Sequence, residues 1–153
     1  MIYDKKKILR WGLLLLWMGF IFYMSNQPAK VSSQQSDLIV NAIGINTNSS
    51  YNSLATFITR KGAHMTEYFI LFLLWYRVLV LYVDSKKAKL YAIGLIFLYA
   101  CSDELHQYFV PGRSAKFKDV MIDTSGGLIG LLVTNIYESI NAKIKIKREY
   151  LDE

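Results

Sequence analysis

The sequence predicts an all-α polytopic membrane protein with four transmembrane helices and a partly amphipathic outer loop between the first and second. Three observations carry that prediction. The chain of 153 residues is 53% apolar and 14% aromatic but only 20% charged, where soluble domains run nearer ~25% charged. Its apolar residues gather into four long blocks instead of spreading evenly. The polar residues inside those blocks sit near block ends, where they leave apolar runs that approach the ~20 residues a spanning helix needs. A disordered chain and an ordinary soluble enzyme are excluded by this distribution. The single cysteine, Cys101, excludes an intramolecular disulfide framework. The whole chain, 1–153, reads as one membrane domain.

The first block, 8–24, follows Lys5, Lys6, Lys7 and Arg10. A basic start and an apolar run also describe a signal peptide. No small-x-small cleavage site follows, however, since the chain continues Ser25-Asn26-Gln27-Pro28. An anchoring helix is therefore the expectation. The loop 25–59 is polar and poor in charge. Ser36 is expected to cap a short helix whose apolar face holds Leu38, Ile39, Ala42 and Ile43. A turn-like polar stretch follows over 46–52. A second helical pattern, Leu54, Phe57 and Ile58, leads into Arg60 and the second block, 65–83, which is broken only by Glu67 and Arg77. The third block, 90–108, is apolar only as far as Cys101. It spans a membrane if its helix continues through Ser102, Asp103, Glu104, Leu105 and His106. The fourth, 119–137, contains Asp123 and the pair Gly126 and Gly130, whose spacing lets another helix approach closely. The expected use of that pair is packing within the chain, with a homodimer contact as the alternative. A mixed-charge tail, 143–153, closes the sequence.

Four spans put both termini and the loop between the second and third blocks on one side. That side holds Lys5, Lys6, Lys7, Arg10, Lys86, Lys87, Lys89, Lys143, Lys145, Lys147 and Arg148. The opposite side holds Lys30, Arg60, Lys61, Arg113, Lys116 and Lys118. The first is the richer in Lys and Arg, so both termini are expected in the cytoplasm. The net charge of +6 then reflects topology and lipid contact. No basic helix with interleaved aromatics lies outside the blocks, so nucleic acid is not expected as a partner.

The same topology gathers the polar interruptions. Ser25, Asn26 and Gln27 end the first block; Arg60, Lys61, His64 and Glu67 open the second. Asp103, Glu104, His106 and Gln107 end the third, and Asp119 and Asp123 open the fourth, with Pro111, Gly112 and Arg113 between. All fall on one face of the membrane. Arg60, Lys61, His64, Glu67 and Tyr68 form one helical stripe, Asp103 and Gln107 are four apart, and so are Asp119 and Asp123. A charge in hydrocarbon costs at least ~2.5–3.5 kcal/mol. Glu67, Asp103 and Asp123 should therefore face an interior, a polar cavity or a cation.

Taken in order, Arg60-Lys61-x-x-His64-x-x-Glu67-Tyr68, then Asp103-Glu104-x-His106-Gln107-x-x-x-Pro111-Gly112-Arg113, then Asp119-x-x-x-Asp123-x-x-Gly126-x-x-x-Gly130 closely resemble the VanZ-like family. The resemblance runs from about Trp17 to Tyr137. The family more often has Ser-Ser-Gln where this chain has Ser25-Asn26-Gln27, and Asn where it has Asp123. The resemblance implies a small multi-pass protein of the bacterial cytoplasmic membrane, with a link to teicoplanin resistance and to envelope biology.

The chemistry expected of the cluster is a site for a membrane lipid or a lipid-linked envelope precursor. Arg60, Lys61 and Arg113 suit an anionic head group, with Gln107, Asp119 and Asp123 as further binding residues. Glu67, Asp103, Glu104 and His64 are the acid/base candidates. Binding without turnover would suit tolerance to a lipid-tailed drug. The alternatives are a membrane enzyme, a hydrolase or transferase of lipid-linked head groups, and an ion- or proton-coupled carrier. A structural ion-pair network is the bland reading of the same residues. No metal site and no cofactor are expected: there is no His-Glu-x-x-His, no cysteine pair and no glycine loop after a strand. Ser102 and Ser125 read as small helix-packing residues, Cys101 as inert, and His106 as interfacial beside Tyr108 and Phe109.

Overall fold

A computed structural model of the chain describes residues 2–44 and 51–151. They form α1 (Ile2–Ser25), α2 (Ala29–Ala42), α3 (Tyr51–Leu79), α4 (Ser85–Gln107) and α5 (Phe117–Leu151). No strand occurs among the described residues. α1 ends at Ser25, three residues before Pro28, whose ring disfavours helix at the preceding residue. α2 starts directly behind it. Ser36 does not cap this helix: it lies inside, donating from Oγ to the Ser32 carbonyl at 3.1 Å. The apolar stripe of this helix is turned outward. Leu38, Ile39 and Ile43 are exposed, while Ser36 and Val40 face the chain. The helix is capped at Pro28, eight residues earlier than a Ser36 cap would place it, and it packs through Ser36 and Val40. Thr56 Oγ1 donates to Asp37 at 2.6 Å and ties α2 to α3.

The helical pattern expected at Leu54, Phe57 and Ile58 and the second apolar block are one continuous helix of 29 residues. Of the turn expected over 46–52, residues 46–50 lie outside the described residues and the last two open α3. At its far end α3 stops at Leu79, short of residue 83. The chain turns there, and Asp84 accepts from the Lys87 N–H at 3.0 Å to cap α4. α4 does continue through Asp103, Glu104 and His106, and α5 carries the tail on as helix to Leu151.

α3 and α5 make the most extensive helix pair, with α4 packed on α5 and α1 on α3. The reason is small residues at the seams. Ala88, Ala92 and Ala100 join Ile96 as a fully buried stripe at every fourth position of α4. On α5, a Cβ at Gly126 would lie 2.2 Å from the Met65 carbonyl oxygen, and one at Gly130 would lie 2.7 Å from the Phe72 ring. Both glycines therefore serve the packing of α5 on α3 within the chain. Tyr68, Leu71 and Phe72 of α3 form the core with Leu14, Ile21 and Ile96.

The outside is apolar. Ile8, Leu16, Leu90, Leu98, Leu132 and Ile136 are all more than half exposed, an apolar surface of the kind that marks contact with a membrane or a partner. Lys5–Ser25 and Phe117–Glu149 are long and apolar enough to cross a membrane, which is consistent with a membrane protein. α3 and α4 do not meet that standard alone. The turn after Leu79 removes Val80–Val83 from α3, and α4 is flanked by Lys86, Lys87 and Lys89 at one end and Asp103 and Glu104 at the other. At the lysine end, Glu138 accepts from Tyr76, from Ser85 at 2.8 Å and from Lys89 at 2.5 Å, and so joins α3, α4 and α5.

Candidate functional site: a polar cavity at one end of the bundle

The opposite end of the bundle holds the remaining buried charge. The segment after α4 turns back at Val110-Pro111-Gly112-Arg113, with the Arg113 N–H donating to the Val110 carbonyl at 3.1 Å. Gly112 has φ +75°, which a type II turn requires at the position after proline. This turn presses Pro111 against the start of α2, where the Ala29 N–H donates to its carbonyl at 3.3 Å. Arg113 then reaches inward. Its Nε donates to the Gln27 carbonyl at 2.9 Å and its Nη2 to the Met24 carbonyl at 3.4 Å, so it satisfies the loose end of α1. Burial, and after it the like charge of Arg60, pull the Arg113 guanidinium below its ordinary value; Asp103, Glu104 and Glu67 pull the other way.

Behind the turn lies a cavity of about 150 Å³. Eight of the ten residues singled out from the sequence line it: Arg60, Lys61, His64, Glu104, Gln107, Arg113, Asp119 and Asp123. The other two are adjacent. Asp103 is buried on α4, and Glu67 lines a smaller cleft under α2 that shares Arg60, His64 and Arg113 with the cavity.

The acidic groups are held by different partners. Asp103 Oδ2 accepts from Ser25 Oγ at 2.7 Å and from Gln107 Nε2 at 3.1 Å. Glu104 Oε2 accepts from the Lys116 backbone N–H at 2.8 Å, which fixes the loop before α5. Asp119 pairs with Lys61 at 2.6 Å. His64 Nδ1 lies 3.6 Å from Asp123 Oδ1 and 3.9 Å from Glu67 Oε2. The close approach at Gly126 and Met65 explains the first of these contacts, because Asp123 and His64 sit within one turn of it. Arg60 differs from the other cations. Half-buried at the cavity wall, it makes no hydrogen bond or ion pair among the described residues.

His106 stays outside this group. It stacks on Phe22 with ring centroids 4.4 Å apart and lies 3.2 Å from Asn26 Oδ1. The sequence reading did not single out Ser25 as a partner of Asp103, nor Ser114 and Lys116 as cavity residues. A small hydroxyl in place of an acid, and two polar loop residues after a Pro-Gly turn, carry no pattern of their own. The fully buried Tyr68, read as part of a stripe, turns out to have an unpartnered hydroxyl.

The chain was compared with protein-family models, curated proteins and solved structures. A model of a family described as VanZ/LLP1 matches residues 10–138, nearly the whole helical bundle and all of the cavity. No curated protein and no solved structure matches it.

Proposed function

The chain belongs to the VanZ/LLP1 family, and from that premise we propose that it binds the anionic head group of a lipid-anchored envelope component at the outer face of the bacterial cytoplasmic membrane. α1, α3, α4 and α5 cross the membrane, with both termini in the cytoplasm. The apolar belt and the excess of Lys and Arg at the termini support this orientation. The polar cavity then opens outward, at the level of lipid head groups.

Arg60, which makes no hydrogen bond or ion pair among the described residues, carries the reading. A half-buried guanidinium without a partner is expensive to hold and gains most from a bidentate anion. Lys61 and Arg113 line the same cavity, and its volume admits a phosphate with a few waters of ~30 Å³ each. Lys61 is engaged by Asp119, and Arg113 by the carbonyls of α1. They therefore shape the site, while Arg60 is the group free to clasp the ligand. A second reading, a hydrolase or transferase acting on that head group, draws support from Glu104 and Asp103, two buried carboxyl groups at or beside the cavity.

Binding at the lipid surface should matter most for a drug that anchors there. Teicoplanin carries a lipid tail and vancomycin does not. Expression of the chain in a Gram-positive host should raise tolerance to teicoplanin selectively. Arg60→Ala should remove the effect at equal membrane level, since no hydrogen bond or ion pair among the described residues is lost. Equal shifts for both drugs, or a wild-type effect in Arg60→Ala, would count against the proposal.

A further inference from the structure

We propose that His64, Asp103 and Asp123 form a binding site for a divalent transition-metal ion in the wall of the cavity. The three side chains come from three different helices, α3, α4 and α5, and each offers one ligand atom within 4.8 Å of the other two. That spacing is what one ion at bond lengths of ~2.0–2.2 Å would draw together with a small adjustment.

The second observation is a set of buried polar atoms with nothing to bond. Asp123 is 2% exposed, and its Oδ2 has no hydrogen-bond partner. His64 Nδ1 has none either. The hydroxyl of the fully buried Tyr68 is likewise unpartnered and lies within electrostatic reach of Asp103 and Asp123. Orphaned groups of this kind are uncommon in folded proteins and call for an explanation. No Lys or Arg nitrogen among the described residues forms an ion pair with Asp103 or Asp123; Lys61, whose charge acts on Asp123, is paired with Asp119 at 2.6 Å. A cation therefore finds lone pairs to receive it and acids with no direct ion pair to Lys or Arg among the described residues.

The surroundings suit a metal. Ser25 and Gln107 both donate to Asp103 Oδ2, which orients the carboxylate and leaves its other oxygen for the ion. His64 and Asp123 both line the cavity, so an ion can enter from it and keep one coordination position open towards it. One imidazole nitrogen with two carboxylates selects zinc, manganese or iron over magnesium or calcium, which prefer oxygen alone. A motif search of the sequence misses such a site because no two of its ligands share a helix. The inference stands independently of the anion-binding reading.

The test is metal analysis of the full chain purified in detergent, stripped with a chelator, reloaded with zinc sulfate and desalted. Wild type should retain a single zinc ion per chain, and zinc should raise its unfolding temperature. Asp123→Asn and His64→Gln should each weaken zinc at least ~10-fold and cancel the rise. Cobalt(II) loading of wild type provides a readout independent of any variant, and should show the visible absorption of a low-coordinate nitrogen/oxygen site. No stoichiometric zinc, manganese or cobalt on folded wild type overturns the proposal. So does undiminished zinc binding by both variants.

Discussion

Asp103 shows how a single buried charge is made tolerable here. It is 4% exposed, and without donors its carboxylate would cost several kcal/mol on any scale for buried ions. Ser25, at the end of α1, supplies one donor at 2.7 Å, and Gln107, one turn along α4, the other at 3.1 Å. Ser25→Ala removes the stronger of the two. A loss of about 1–2 kcal/mol is expected, at the lower part of the ~1–3 kcal/mol range for an orphaned buried group because Gln107 remains. Denaturant unfolding in detergent measures it, and an unchanged midpoint would mean that Asp103 is satisfied in some other way. At this scale the sequence was informative about the acids and cations and uninformative about their partners. Charged residues in apolar blocks stand out by their cost. A serine at a helix end does not, and Ser25 could be assigned to Asp103 only once α1 and α4 were seen side by side.

Helix seams decide which residues meet. Gly126 lets α5 touch the backbone of α3 at Met65, whereas Gly127 faces the Ile96 side chain of α4, a Cβ there lying 2.8 Å from Cγ2. The two substitutions should therefore differ. Gly126→Ala forces two helices apart and should cost at least ~1–3 kcal/mol. Gly127→Ala asks only for a side-chain shift and should cost less. Thermal unfolding of the two variants side by side gives the order, and the reverse order would contradict the close approach of α3 and α5. Element boundaries were harder to read than the elements themselves. The four apolar blocks are all helices, but α3 absorbed the preceding loop helix, and Pro28 rather than Ser36 set the start of α2. Apolar periodicity marks the middle of a helix well. Its ends depend on local turn chemistry, which Pro28 and Asp84 supply with only one residue each.

At the scale of the whole molecule, charge is sorted to the two ends. One end carries the lysine-rich termini and the Glu138 network; the other carries the cavity with Arg60, Arg113 and the buried acids. The gathering of these distant residues was legible because it depends only on the number of helices and the direction in which each runs. The position of Arg60 in the cavity wall, with no hydrogen bond or ion pair among the described residues, and the unpartnered His64 and Asp123 atoms were not, since partners across helices have no signature along the chain. The proposed function requires the cavity to open to the outer side of a four-span bundle. The most direct test is labelling with a membrane-impermeant maleimide in intact cells, in a Cys101→Ser background. Ser114→Cys, at the cavity, should label from outside. Lys143→Cys, on the exposed continuation of α5, should label only after permeabilisation. Labelling of both from outside, or the opposite pattern, would contradict the outward-facing site.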